Sequence, residues 1–269
     1  MLARYEDLYL IQDFAKKPCY HAESMKKSPL KTPAFRPLYE QIKVLLTNSL
    51  AAGEWKPGEA IPSEHELAAR FHVSQGTVRK AIDALASGNL LVRRQGKGTF
   101  VASHAHPAYQ YRFLRVLSDS DDRATPRNFF FGLEHVKAHG EAARALRLAP
   151  GATMLVFKRL MSFAGKPVVL DEISLDAARF PGMTLAELED FHGSVYSFYE
   201  TVFGIAMIRA KERLRAVCAD GVAATHLQVE KGTPLLCVDR VAYTYGDQPV
   251  EFRRGLCRTD GYSYVNELN

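Results

Sequence analysis

The sequence predicts an α+β chain of two unlike parts, and three observations carry that prediction. The first hundred residues read as helix, helix, turn, helix and a glycine-tipped hairpin. The remainder contains an internal repeat at a constant offset, each copy reading as short helix, strand, hairpin and strand. The charge is also split unevenly. Of the net +5 on 269 residues, residues 1–35 carry +2 and residues 36–103 carry +3, while the rest holds 20 basic and 20 acidic side chains. An excess confined to one end suggests a contact there with a polyanion, although +3 on a domain is by itself an ordinary solvated surface.

Residues 1–35, with Lys26-Lys27, Pro29 and Pro33, read as a poorly ordered extension in which Met25 stands as an alternative start. From Pro37 the pattern becomes helical, with Leu38, Ile42, Leu45, Leu46 and Leu50 as one apolar stripe and Gly53 as its stop. Ser63 and Glu66 form a capping box opening a short helix that buries Leu67, Ala68 and Phe71. After His72-Val73, Ser74 caps a third helix running to Ser87, with Val78, Ile82 and Leu85 inward and Gly88 at its end. Leu90 to Val92 and Thr99 to Val101 read as strands around the turn from Arg93 to Gly98. That order is the order of a winged helix-turn-helix, placed at 36–102, with a linker over 103–109 in which His104 and His106 are expected to be solvated.

In such a motif the second helix of the pair enters the major groove and presents its N-terminal residues to base edges. That places Gln75, Gly76, Thr77 and Arg79 at DNA, with Gln75 and Arg79 four apart on one face. Arg forks onto guanine and Gln onto adenine. Gly76 costs helix stability, for which close approach of a backbone is one reason and a relaxed first turn another. The Ser74 hydroxyl suits a phosphate oxygen as well as a cap. Arg94, Gly96, Lys97 and Gly98 put cations beside glycines, suited to a narrow groove.

Beyond residue 110, Ala142, Ala143, Leu146, Gly151, Leu155, Arg159 and Gly165 recur 81 positions later as Ala223, Ala224, Leu227, Gly232, Leu236, Arg240 and Gly246. One inserted residue then sets Pro167-Val168 against Pro249-Val250. Neither copy covers its own apolar face, so both are expected to share one sheet, with a polar-lined pocket where they meet.

Pro37-Leu38-Tyr39, Ile61-Pro62-Ser63-Glu64, Val73-Ser74, Thr77-Val78-Arg79 and the run from Arg94 to Val101 together resemble the GntR family of bacterial transcription regulators. Two family arginines are replaced, by His65 and Gln75, which implies a different operator half-site. The resemblance implies DNA contacts from Ser63, His65, Ser74, Gln75, Gly76, Thr77, Arg79, Arg94, Gly96, Lys97 and Gly98. Residues 110–269, with Leu148 to Gly151 and Gly232 to Leu235, resemble the UTRA effector domain of the HutC subfamily, a chorismate-lyase-like α/β sensor fold. That resemblance implies effector contacts from Arg159, Asp171, Ser194, Tyr196 and Glu251. Met161 and Cys257 stand where sugar-phosphate-binding members carry Arg and Tyr, which argues against a doubly charged phosphate. One Arg with two acids suits a small zwitterion, or a carboxylate bearing an amine or hydroxyls. Plainer readings remain open: an Arg159–Asp171 ion pair across the hairpin, Ser194 as a helix cap, and Tyr196 as core.

The expected function is a sequence-specific repressor acting on pseudo-palindromic double-stranded DNA as a homodimer, its affinity set by a small-molecule effector. A DNA-binding protein without an effector and a lyase-like enzyme are the rivals, but no nucleophile–base or metal cluster is readable. Cys19, Cys218, Cys237 and Cys257 show no metal spacing, and no cofactor is expected. Reduced thiols, no secretion signal and no apolar run near the roughly 20 residues of a membrane span place the chain in the cytoplasm.

Overall fold

Ile42, Leu46 and Leu50 turn the first helix, α1 (Leu38–Ala51), into one wall of a small N-terminal core. The fold is that of a computed structural model, which describes residues 36–106, 113–120 and 125–266. The expected extension over 1–35, Cys19 within it, and linker residues 107–109 lie outside the described residues. Leu38 and Leu45, assigned to the α1 stripe by sequence, are instead 49% and 46% exposed. At about 100° per residue both project some 40–60° to one side of Ile42, beyond the reach of the core. Gly53, just past the end of α1, takes φ +74°, the left-handed turn anticipated there.

The capping box of Ser63 and Glu66 is formed at the start of α2 (Glu64–Phe71), which ends at His72 with φ 53°. Ser74 caps α3 (Gln75–Ser87) and Gly88 follows it. Val78, Ala81, Ile82 and Leu85 of α3 close the core against α1 and Leu67. The hairpin strands β1 (Leu91–Arg94) and β2 (Gly98–Val101) pair antiparallel, and Gly96 and Gly98 adopt φ +68° and +105° in the turn between them. A third segment flanks β2, where the Ile61 N–H donates to the Thr99 carbonyl at 2.9 Å and the Val101 N–H donates to the Glu59 carbonyl at 2.8 Å.

The C-terminal part is built on a six-stranded antiparallel sheet. A two-stranded ribbon, β3 (Val116–Ser118) with β10 (Tyr262–Tyr264), accompanies it. One half of the sheet is β4 (Arg127–Lys137), β5 (Thr153–Phe163) and β6 (Lys166–Asp176). The other is β7 (Arg209–Cys218), β8 (Pro234–Thr244) and β9 (Gln248–Arg258). The strand order β4-β5-β6-β9-β8-β7 joins the halves at β6 and β9, so the two copies do share one sheet. The inserted residue falls in the turn Tyr245–Asp247 between β8 and β9. The outer strands β4 and β7 extend the repeat beyond what the sequence matches mark.

The short repeat helices α4 (Gly140–Ala145) and α7 (Gly221–Leu227) cover one face, over Met154 and Phe252 and over Leu170 and Leu235 respectively. The opposite face receives α5 (Leu185–Asp190) and the central helix α6 (Val195–Phe203). Phe198 and Tyr199 of α6 are fully buried, and Phe180 meets Tyr199 and Phe203 of this helix edge-on. Tyr245, at the β8–β9 turn, packs against the N-terminal core, so the two parts touch directly.

The linker start departs from expectation. His104 is buried, its Nε2 lying 2.8 Å from the Met207 carbonyl and its ring against Phe113 and Tyr196, whereas His106 is exposed. An imidazole is apolar enough in its ring to be packed by aromatics once one nitrogen meets a carbonyl, which is why the solvated reading fails.

Candidate DNA interface and ligand cavity

At the head of α3 the Ser74 hydroxyl accepts the Thr77 N–H at 3.2 Å and lies 2.9 Å from the Thr77 hydroxyl. Gln75, Gly76 and Arg79 are exposed beside it. A methyl group at Gly76 would meet nothing nearer than Ser74 Oγ at 3.9 Å, so the fold does not require glycine there. Gln75 and Arg79 share a face and converge on one acid. Glu64 receives Arg79 Nε at 2.9 Å, an Arg93 nitrogen at 2.9 Å and Gln75 Nε2 at 3.3 Å. Burial works against the Glu64 charge, yet the bonds from Arg79 and Arg93 hold its carboxyl below the ordinary range. Arg93 also pairs with Asp83 at 2.7 Å. Glu64 therefore holds Gln75 and Arg79 in place with Arg93 beside them, a role the sequence reading missed because the capping box draws attention to Glu66.

The remaining N-terminal positions divide. His65 and Lys97 are exposed, and Ser63 is spent on its cap, its Oγ donating to Glu66 at 2.7 Å. Arg94 is not at the hairpin tip but on β1, its guanidinium 4.4 Å from the Phe100 ring centre. Stacking on that ring pins its stem to the wing.

The second site is a cavity of about 760 Å3, open solvent at its mouth included, between the sheet, α6 and the β3–β10 ribbon. Arg159, Asp171, Ser194 and Tyr196 line it. Arg159 Nε donates to Asp171 Oδ2 at 2.8 Å, and a second Arg159 nitrogen reaches the same oxygen. Ser194 caps α6, accepting the Ser197 N–H at 3.1 Å, so the cap and the cavity wall are one residue. Tyr196 is both core and wall.

Glu251 is placed behind the wall and not on it. It is fully buried and accepts the Tyr196 hydroxyl at 2.9 Å, the Tyr199 hydroxyl at 3.1 Å and an Arg253 nitrogen at 3.0 Å. With three donors satisfied and a tyrosine in front, it holds the wall together. Burial and then the Glu251 charge push both tyrosine hydroxyls above their ordinary pKa, so both stay neutral donors.

Two arginines were not anticipated. Arg240 and Arg253, neighbours across β8 and β9, line the cavity with Arg159. Arg240 pairs with Glu212 at 2.5 Å and donates to the Phe113 carbonyl. Burial works against the Arg253 charge, but Glu251, Tyr196 and Asp171 outweigh it and raise its pKa. Burial pulls Arg159 the other way, with Asp171 opposing and Arg253 adding to the depression. Opposite Asp171 stands Gly255, where a Cβ would fall 2.6 Å from Asp171 Oδ1.

Comparison with known proteins decides what this pairing of sites is. Residues 38–101 match the bacterial regulatory proteins of the gntR family, and residues 123–263 match the UTRA domain. The chain belongs to the GntR family, in its UTRA-bearing branch. A probable transcriptional regulator PhnF of Escherichia coli (strain K12) is 30% identical, covering 85% of this chain and 94% of its own. The HTH-type transcriptional repressor NagR of Bacillus subtilis (strain 168) is 27% identical over 91% of this chain and 97% of its own. The ligand-binding domain of a GntR-family regulator candidate from Bordetella bronchiseptica superposes with a TM-score of 0.58 at 42% identity, covering 60% of this chain and 99% of that domain. PhnF from Mycobacterium smegmatis gives a TM-score of 0.50 at 25% identity over 85% of this chain and 99% of its own. This GntR–UTRA protein is thus a DNA-binding transcriptional regulator modulated by a small molecule, not an enzyme. The helices and hairpin around Glu64 fall in the gntR segment, and the arginine-lined cavity falls in the UTRA segment.

Proposed function

We propose that the protein is a cytoplasmic homodimeric repressor whose operator grip is loosened when a metabolite enters the arginine-lined cavity. The observation that carries this reading is the attachment of the wing's exit to the cavity wall. Ser103 Oγ donates to one oxygen of Glu200 at 2.5 Å, and the His104 N–H donates to the other at 3.1 Å. Glu200 lies on α6 one turn beyond Tyr196, which faces the cavity and touches the His104 ring at 5.6 Å between centroids. A ligand pressing on Tyr196 thereby acts on the residues that leave the DNA-binding part.

Domain limits at 36–102 and 110–269 fit this division of labour. A two-fold dimer would set its recognition helices about 34–36 Å apart, one turn of DNA. A ligand shifts such an arrangement only by binding one form better than the other. DNA contact is assigned to Gln75, Gly76, Thr77 and Arg79, supported by Ser74, His65 and Lys97, with the Arg94 stem fixing the wing. Effector contact is assigned to Arg159, Asp171, Ser194 and Tyr196, joined by Arg240 and Arg253. Among the described residues, no helix is long and apolar enough to cross a membrane.

The test is fluorescence anisotropy on DNA flanking the protein's own gene, titrated with a metabolite panel. Saturable binding to a pseudo-palindrome, reversed by one metabolite class, is the expected result. Binding that no metabolite alters would mean a constitutive DNA-binding protein.

A further inference from the structure

The cavity's charges are nearly all paired with each other, and what is left over defines the ligand. Arg159, Arg240 and Arg253, each less than a tenth exposed, face Asp171, Glu212 and Glu251, which neutralise them one for one. Arg115, half-buried in the cavity lining, has no carboxylate within ion-pair distance among the described residues and leaves a surplus of one positive charge. Two buried polar atoms in the cavity lining have no hydrogen-bond partner: Arg253 Nε, a donor, and Asn128 Oδ1, an acceptor. Buried groups of this kind are normally satisfied, so each points to a missing partner.

The strand register places those two atoms at opposite ends of the floor. Asn128, Met161, Val169 and Cys257 are successive cross-strand neighbours on β4, β5, β6 and β9. Arg253 lies four residues before Cys257 on β9, beside Arg240. Asn128 and Arg253 are thus three strand steps apart and four residues out of line, about 14 Å across the strands and about 13 Å along them, or about 19 Å between backbones before their side chains reach inward. The floor between them carries the apolar side chains of Met161, Val169 and Cys257, with Val238 adjoining.

Resting on the effector reading above, we infer that the ligand is an extended monocarboxylate with an apolar body and a hydrogen-bond donor at its far end. The carboxylate meets Arg253 and the surplus positive charge, the body lies over Met161, Val169 and Cys257, and the distal donor meets Asn128. A zwitterion's ammonium would need a carboxylate whose charge is unmatched, but Glu251 is walled off and Asp171 already lies between Arg159 and Arg253, 3.8 Å from the latter. A dianionic phosphate would leave one negative charge unmatched in a buried site.

Calorimetry with the full chain tests this, using 3-(4-hydroxyphenyl)propionate and its amino and chain-length analogues. The controls are 3-phenylpropionate, tyramine, glucose 6-phosphate and inorganic phosphate. The hydroxylated or aminated carboxylates should bind, 3-phenylpropionate about tenfold more weakly for want of one hydrogen bond, and tyramine and the phosphates not at all. Asn128→Leu should erase the preference for the distal donor, and Arg253→Gln should remove carboxylate binding. Should Arg253→Gln fail to fold, Asn128→Leu alone decides. Equal or tighter binding of tyramine or a phosphate overturns the inference, as does failure of every carboxylate in the series. Carboxylates that bind without moving the protein off DNA would uphold the ligand class and defeat the effector reading. DNA release by a phosphate ester alone would do the reverse.

Discussion

Asp171 Oδ1 sits 2.6 Å from the point where a side chain at Gly255 would begin, and the two residues are direct partners across β6 and β9. Real Cβ atoms do not approach an oxygen so closely. Gly255→Ala therefore forces the Asp171 carboxylate aside and disturbs its bond to Arg159. We expect a loss of about 1–3 kcal/mol in stability, the usual cost of overpacking, with a blunted ligand response and unchanged affinity for operator DNA. Thermal melts and anisotropy measure the two effects separately. An unchanged melt and an unchanged ligand response would mean Asp171 relaxes freely and Gly255 matters little.

Gly76 separates folding from DNA contact. Alanine there enters open space in the free protein and should stabilise α3 by about 0.5–1 kcal/mol through helix propensity. If a DNA backbone lies against this turn, the same methyl weakens operator binding while the melting temperature rises. Arg79→Ala should cost about 1–3 kcal/mol in specific binding and leave ligand affinity alone. Undiminished operator affinity in both variants would displace the recognition surface from the head of α3.

Glu64→Gln probes how Arg79 and Arg93 are held before DNA arrives. The Glu64 pKa is lowered in the folded state, so its ion pairs stabilise the protein above the unfolded glutamate value of about 4.3. That contribution fades as pH falls through the lower folded value. Arg79 and Arg93 are 57% and 41% exposed, so solvent screening limits the contribution to about 0.5–1 kcal/mol. The variant should melt below the wild type at pH 7, and the gap should close toward pH 3. It should also bind non-specific DNA more tightly, because two arginines lose their carboxylate. A gap that persists in acid would assign the effect to packing.

The helix-turn-helix was legible because its signals are local: a capping box at Ser63 and Glu66, a cap at Ser74, and apolar spacing through Val78, Ile82 and Leu85. The shared sheet was legible because the repeat keeps its offset through β5 and β8. The same arithmetic held more than was drawn from it. An offset of 81 carries Arg159 onto Arg240, and after the inserted residue an offset of 82 carries Asp171 onto Arg253. Both arginines missed in the cavity are therefore repeat equivalents of two of the five residues named for it. Glu251 was misplaced for a different reason. Whether an acid lies on a wall or behind it depends on which tyrosine stands in front, and no spacing rule records that. His104 was lost in the same way, since its burial is fixed by Met207 and Tyr196, each more than ninety positions away.

Glu200 offers the sharpest test of how the two sites communicate. Its carboxylate holds Ser103 and the His104 backbone, and it does not line the cavity. Glu200→Ala should leave ligand affinity within about twofold of wild type while uncoupling it from DNA. Couplings between sites in regulators run at about 1–3 kcal/mol, or roughly 5- to 150-fold in affinity, and the variant should lose most of that ratio. Anisotropy titrations of operator with and without saturating ligand give the ratio directly, and calorimetry gives ligand affinity. If Glu200→Ala keeps the full ratio, the signal crosses elsewhere, and the contact of Tyr245 with the N-terminal core is the next route to cut.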